Sequence, residues 1–102
     1  MSASASEIAM PVAITMKVTT NTLTVELSDG RKISAPTAWY PRLSHGTAQE
    51  RNNWRLIGRG SGIHWKDLDE DISVDSLLAS HASGESQASL KKWLARRRLT
   101  RR

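Results

Sequence analysis

The 102-residue chain contains no cysteine and no phenylalanine, and only three prolines. Without thiols there is no disulfide, no thiolate zinc site and no cysteine nucleophile. That composition is compatible with a cytoplasmic protein. No run of about 18 apolar residues exists, so no membrane-crossing helix is expected. The N-terminus lacks a basic stretch, and Pro11 interrupts its short apolar run, so no secretory leader is expected. With phenylalanine missing, the four tryptophans and Tyr40 must supply all aromatic filling.

Acidic residues are scarce at one end. From Glu85 to Arg102 there are seven basic residues and one acid, a charge of +6, whereas the remainder has eight basic and nine acidic residues and carries −1. The overall +5 therefore belongs to the tail. A polyanionic partner is to be sought there.

The length fits one domain. Residues 1–9 are mostly Ser and Ala and are expected to be disordered. Residues 10–82 form a single α+β domain and 83–102 a basic tail, helical or disordered. Val12, Ile14, Met16 and Val18 alternate with Ala13, Thr15, Lys17 and Thr19, which predicts a strand with one buried face. Leu23, Val25 and Leu27 repeat the pattern. Asp29-Gly30 predicts a type I′ hairpin turn, with a third strand from Arg31 to Ala35. Thr37 is placed to cap a short helix over 38–44, and Thr47 with Glu50 fits a capping box for the next helical turn. Trp54–Ile57 and Ile63–Trp65 read as a fourth and fifth strand. Ser73 caps a last core helix, with Ile72 and Leu77 at the staple positions. Ser83-Gly84 reads as a hinge, and Leu90, Trp93, Leu94 and Arg97 stand at helical spacing. The expected fold is a small antiparallel sheet with helices on one side, in the order β-β-β-α-β-β-α, followed by the basic tail. Its core face is expected to contain Val12, Ile14, Val25, Leu27, Ile33, Trp39, Leu43, Trp54, Leu56, Trp65, Leu68, Leu77 and Leu78.

The chemistry-bearing motifs are weak. Glycines 58, 60 and 62 suggest a phosphate loop, but such a loop needs a helix N-terminus directly after it, and here Ile63-His64-Trp65 follows. Asp67, Asp69 and Asp71 match the first three ligand positions of a calcium loop. The sixth and twelfth positions fail, being Ile72 and Leu78. The acids are expected to cap the next helix and to pair with Arg55 or Arg59. Ser44, His45 and the aspartates have the residue types of a hydrolase triad, but no nucleophile elbow surrounds Ser44. No catalytic residue, metal or cofactor is assigned, and the protein is expected not to be an enzyme. Arg42, Arg51, Arg55, Arg59 and His64 are candidates for a partner surface along one edge. Lys91, Lys92, Arg96, Arg97, Arg98, Arg101 and Arg102 are candidate nucleic-acid contacts, on a tail expected to be poorly ordered until it meets an acidic partner.

The stretch LTVELSDGRKISAPTAWYPRL, followed by RNNWRLIGRGSGIHWKDLDEDISVDSLL, resembles the bacterial family called domain of unknown function 2442, over about residues 12–78. PRL, GIHW and LDEDI in that order carry the resemblance. It implies a small α+β domain. It also implies a protein partner encoded nearby, in what look like toxin–antitoxin pairs with domain of unknown function 4160. Some relatives carry a C-terminal helix-turn-helix, for which this tail is too short. Three functions follow: an antitoxin-like, non-enzymatic interaction module; a nucleic-acid-binding protein acting through its tail; and a small metal-dependent enzyme using the region from His64 to Asp71.

Overall fold

In the computed structural model, which describes residues 10–100, six short strands and four helices form an α+β fold. The expected Ser/Ala-rich disorder over 1–9 and the contacts of Arg101 and Arg102 lie outside the described residues. Strands β1 (Ala13–Val18), β2 (Thr22–Leu27) and β3 (Lys32–Pro36) make one antiparallel sheet in sequence order. Strands β4 (Trp54–Ile57), β5 (Gly62–Trp65) and β6 (Glu70–Ser73) make a second. The strands thus divide between two sheets, and β6 adds a strand in what the sequence suggested was only the approach to a helix.

The first sheet follows the alternation of its sequence with one exception. Leu23, Val25 and Leu27 are fully buried, but Ile14 is 60% exposed. A bulge between Ala13 and Thr15 is the cause: Ala13 pairs with Leu27 and Thr15 with Glu26, leaving Ile14 without a partner. One extra residue resets the period-2 pattern, so Ala13, Met16 and Val18 face inward and the expected Ile14 does not. Val12 is only half-buried. The Asp29-Gly30 turn also differs from expectation. A type I′ turn needs positive φ at both central residues, and here only Gly30 has it, at 93°. Gly30 N–H closes the turn on the Leu27 carbonyl at 3.0 Å. Asp29 accepts from the Arg31 backbone and from its Nε instead.

The segment expected as one helix over 38–44 is divided. A 3₁₀ turn covers Thr37–Trp39, and helix α1 (Pro41–His45) starts after Tyr40, with Pro41 at its first position. Helix α2 (Ala48–Asn52) carries the expected capping box in full: Glu50 N–H donates to Thr47 Oγ1 and Glu50 Oε1 accepts from Thr47 N–H. Helix α3 (Val74–Leu78) is capped by Ser73, and the staple residues Ile72 and Leu77 are both buried. Between β4 and β5 the glycines form a hairpin connection, with no helix after it. Gly60 has φ +90° and backs onto β1 so closely that a Cβ would stand 2.6 Å from the Ala13 carbonyl oxygen.

One core joins both sheets and the helices. Trp65, Leu23, Leu43, Ile63 and Leu68 are sealed from solvent, and Trp65 Nε1 donates to the Arg51 carbonyl at 2.9 Å. Burial of side chains this large contributes roughly 1.5–3 kcal/mol each. Ile33, Trp39, Trp54, Leu56 and Leu78, all expected inside, pack around the margin half-buried. Helix α4 (Gln87–Thr100) completes the fold by placing Trp93, 5% exposed, in the same cluster.

Candidate nucleic-acid interface

Helix α4 starts with its own cap, since Ser89 N–H donates to Ser86 Oγ at 3.1 Å. Leu90, Trp93, Leu94 and Arg97 share one face by the 3.6-residue period. That face is seated on the body by charge as well as by Trp93. Arg97 donates to both carboxylate oxygens of Glu50, at 3.1 and 2.8 Å. Arg42, from α1, grips Glu85 with Nε at 3.0 Å and Nη2 at 2.6 Å, and donates Nη1 to the Asp69 carbonyl at 3.0 Å. The Arg42 and Arg97 guanidiniums lie 5.1 and 4.6 Å from the centre of the Trp93 ring. Both ion pairs are shielded, with side-chain exposures of 12% and 9%, and 13% and 21%. Such bidentate pairs hold geometry better than exposed ones.

The electrostatics agree. The Arg97 guanidinium, against an opposing push from burial, holds Glu50 down to about 2. The Arg42 hydrogen bond lowers Glu85, and Glu85 in return raises Arg42. The tail expected to be loose is therefore a docked helix, and Ser83-Gly84, expected as a hinge, is tied by Ser83 N–H to the Trp39 carbonyl at 2.9 Å. Charge repulsion along the helix led to that expectation. It is offset by two acids from the body and an indole between two cations.

Docking sorts the candidate contacts. Arg97 turns inward, onto Glu50, and is not among the outward cations. Lys91, Lys92, Arg96 and Arg98 are exposed. Helical spacing sets Lys91 above Arg98, about 10 Å along the axis, and Lys92 above Arg96, about 6 Å.

The five residues expected along one edge are scattered. Arg42 is in the α4 seat. Arg51 is 8% exposed and donates Nη1 to the carbonyls of Leu43, at 3.3 Å, and Gly46. It caps the C-terminal end of α1, where the Leu43 carbonyl also accepts from Gly46 N–H. Arg59 is exposed in the glycine turn with φ 57°. Only Arg55 and His64 are neighbours, paired across β4 and β5.

The aspartates disperse too, and none pairs with Arg55 or Arg59 as expected. Asp67 accepts from Asn53 at 2.7 Å, Asp69 lies 3.6 Å from Arg42, and Asp71 binds His64 Nδ1 at 2.5 Å. Among the described residues no three His, Asp or Glu side chains gather around one metal position. His64 and Asp71 do meet, in register across β5 and β6. Beside them Asn53, Trp54, Arg55, His64 and Lys66 line a cavity of about 430 Å³.

Glu70 and Glu85 were not singled out as site residues in the sequence, and Glu50 only as half of a capping box. Glu70 could have been: the alternation of β6 puts it on the side of Ile72, toward the core. Burial pushes it up to about 7, against the lowering by Arg42. It lines a second cavity with Tyr40, Ser76 and His81.

The family described as "Protein of unknown function (DUF2442)" matches residues 11–83. The chain belongs to this family. The DUF2442 match ends before α4, while Arg42 and Glu50, which seat α4, lie inside it. No curated protein matches the chain. Two solved structures share the fold. One is a crystal structure of a protein of unknown function from Rhodospirillum rubrum, with TM-score 0.66 and 23% identity, covering 78% of this chain and 96% of that one. The other is a solution NMR structure of an uncharacterised protein from Chromobacterium violaceum, with TM-score 0.61 and 18% identity, covering 87% of this chain and 78% of that one. No helix among the described residues is long and apolar enough to cross a membrane.

Proposed function

We propose that this DUF2442 protein is a non-enzymatic interaction module that binds nucleic-acid phosphates on the outer face of α4. The observation that carries the reading is the division of labour on that helix. Trp93, Leu90, Leu94 and Arg97 face the body, while Lys91, Lys92, Arg96 and Arg98 stand outside. A helix already docked loses little further freedom on binding. Four phosphates neutralised on duplex DNA correspond to a slope of about −3.6 in log K against log salt. Phosphate contacts carry no sequence information, so binding through them is expected to be indifferent to sequence.

Replacing Lys91, Lys92, Arg96 and Arg98 together by Gln should abolish most of that slope and leave Tm within a few degrees, since the seat of α4 is untouched. Fluorescence anisotropy on a labelled duplex between 50 and 200 mM salt, about the range over which such contacts fade, is the measurement. Binding that ignores salt, or survives the fourfold change, would refute the proposal. A second reading is the antitoxin-like one, in which a neighbouring protein supplies the acidic surface. The partner encoded nearby that the sequence resemblance implies is what motivates it, and co-purification of the chain with the product of its adjacent gene tests it.

A further inference from the structure

We infer that α4 enters the major groove of duplex DNA, with Lys91 and Arg98 on the phosphates of one strand and Lys92 and Arg96 on those of the other. The inference rests on the phosphate-binding reading above and names its partner. An α-helix turns about 100° per residue. Lys91 and Arg98 therefore fall within about 20° of each other around the axis, and Lys92 and Arg96 within about 40°. The four cations make two ridges about 130° apart, and all four are exposed. Ala88 and Ala95 lie between the ridges, close to their midline. Opposite that midline stand Trp93 and Arg97, the residues of α4 that hold it to the body. The helix thus turns a face away from the body with a ridge of positive charge on either flank.

A single anionic strand meets one such ridge at a time. Two strands with a gap between them meet both. The major groove of B-form DNA, about 12 Å wide and about 8.5 Å deep, admits an α-helix, whose diameter with side chains is about 10–12 Å. Its two walls carry the phosphates of the two strands. α4 has 14 residues and is about 21 Å long, enough to lie along that groove. Access is open as well. The α4 backbone stands off from the strands and the other helices, and long side chains make the contact: Trp93, Arg97 and, at Glu85, Arg42. The two acids of the seat are already paired, Glu50 with Arg97 and Glu85 with Arg42. Between the ridges the alanine side chains bring neither bulk nor a hydrogen-bonding group to the groove floor, so they admit close approach without selecting bases. Duplex RNA does not offer the same seat, because its major groove is deep and narrow.

The test treats the ridges separately. Lys91→Gln with Arg98→Gln removes one ridge, Lys92→Gln with Arg96→Gln removes the other, and both variants keep Trp93 and Arg97. On a short DNA duplex of mixed sequence each variant should halve the dependence of log K on log salt, from about −3.6 to about −1.8, read by fluorescence anisotropy. The parent chain should lose a comparable share of its slope on two duplexes that keep the phosphates but close the groove. One is duplex RNA of the same sequence. The other is DNA whose cytosines carry glucose on a C5 hydroxymethyl group. Binding along the outside of one strand gives a different pattern. One variant then loses nearly all of the slope and the other none, and both groove-closed duplexes bind like plain DNA. Either result overturns the inference and leaves phosphate binding by α4 standing. No salt-dependent binding to any of the duplexes, down to about 50 mM salt, overturns both.

Discussion

Glu70 stands on the inward side of β6, where burial pushes its carboxyl up to about 7. Its folded value lies above the unfolded one, so the folded chain binds a proton more readily. The stability this gives is complete below about pH 4.5 and is lost as pH rises through about 7. Glu70→Gln should therefore flatten the fall in Tm between those values, read by thermal melts at half-unit steps. A parallel decline in both proteins would show that Glu70 is not the group responsible. Gly60 is the other residue whose environment decides its identity. Its φ of +90° and the Ala13 carbonyl 2.6 Å from any added Cβ leave no room for alanine. Gly60→Ala should cost more than about 1 kcal/mol, measured by urea denaturation. Gly30, which has φ +93° but nothing within reach, should lose less.

Among the elements, α4 depends on one aromatic and two carboxylates. Trp93→Ala should cost about 3–5 kcal/mol, the usual range for truncating a buried tryptophan. If α4 undocks, part of that loss will appear as reduced helical circular dichroism, because a free helix this short is marginal in water. Full helicity in the variant would mean that α4 stands without its seat. Acid should loosen the same contact by another route. Glu50 and Glu85 have lowered values, so their contribution is full above about pH 4.5 and fades as pH falls, toward about 2 for Glu50. Two of the caps were legible in the sequence, because Thr47 and Ser73 act on residues three positions away, whereas Thr37, expected to cap a helix over 38–44, makes no cap bond and donates its hydroxyl to the Thr20 carbonyl. Strand alternation was equally legible in β2. The seat of α4 was not: Arg42 meets Glu85 43 residues on, and Glu50 meets Arg97 47 residues on. No local pattern announces such pairs. Nor does composition show that Arg51 will be consumed inside the fold while Arg55 is left outside. The candidate surface was therefore readable as a list of cations and not as a place.

At the scale of the molecule, two three-stranded sheets share one core, and each leaves strand edges on the outside. β1 is an edge strand of its sheet, and beyond Ala13, where the Gly60 turn lies against its backbone, its outward ladder could pair with a strand of another copy. The extra residue at Ile14 works against that pairing. A bulge bends the strand and increases its local twist, so the edge is a poor template for a second chain. Ala13 already pairs with Leu27 and Thr15 with Glu26, so deleting Ile14 would leave a continuous, regular ladder. That deletion removes one of the most exposed large apolar side chains among the described residues, a change that by composition alone should improve solubility. The expected outcome is the reverse: a folded protein that self-associates more readily, seen as light scattering that rises with concentration. Scattering equal to that of the parent chain would show that the edge is guarded by something other than its bulge.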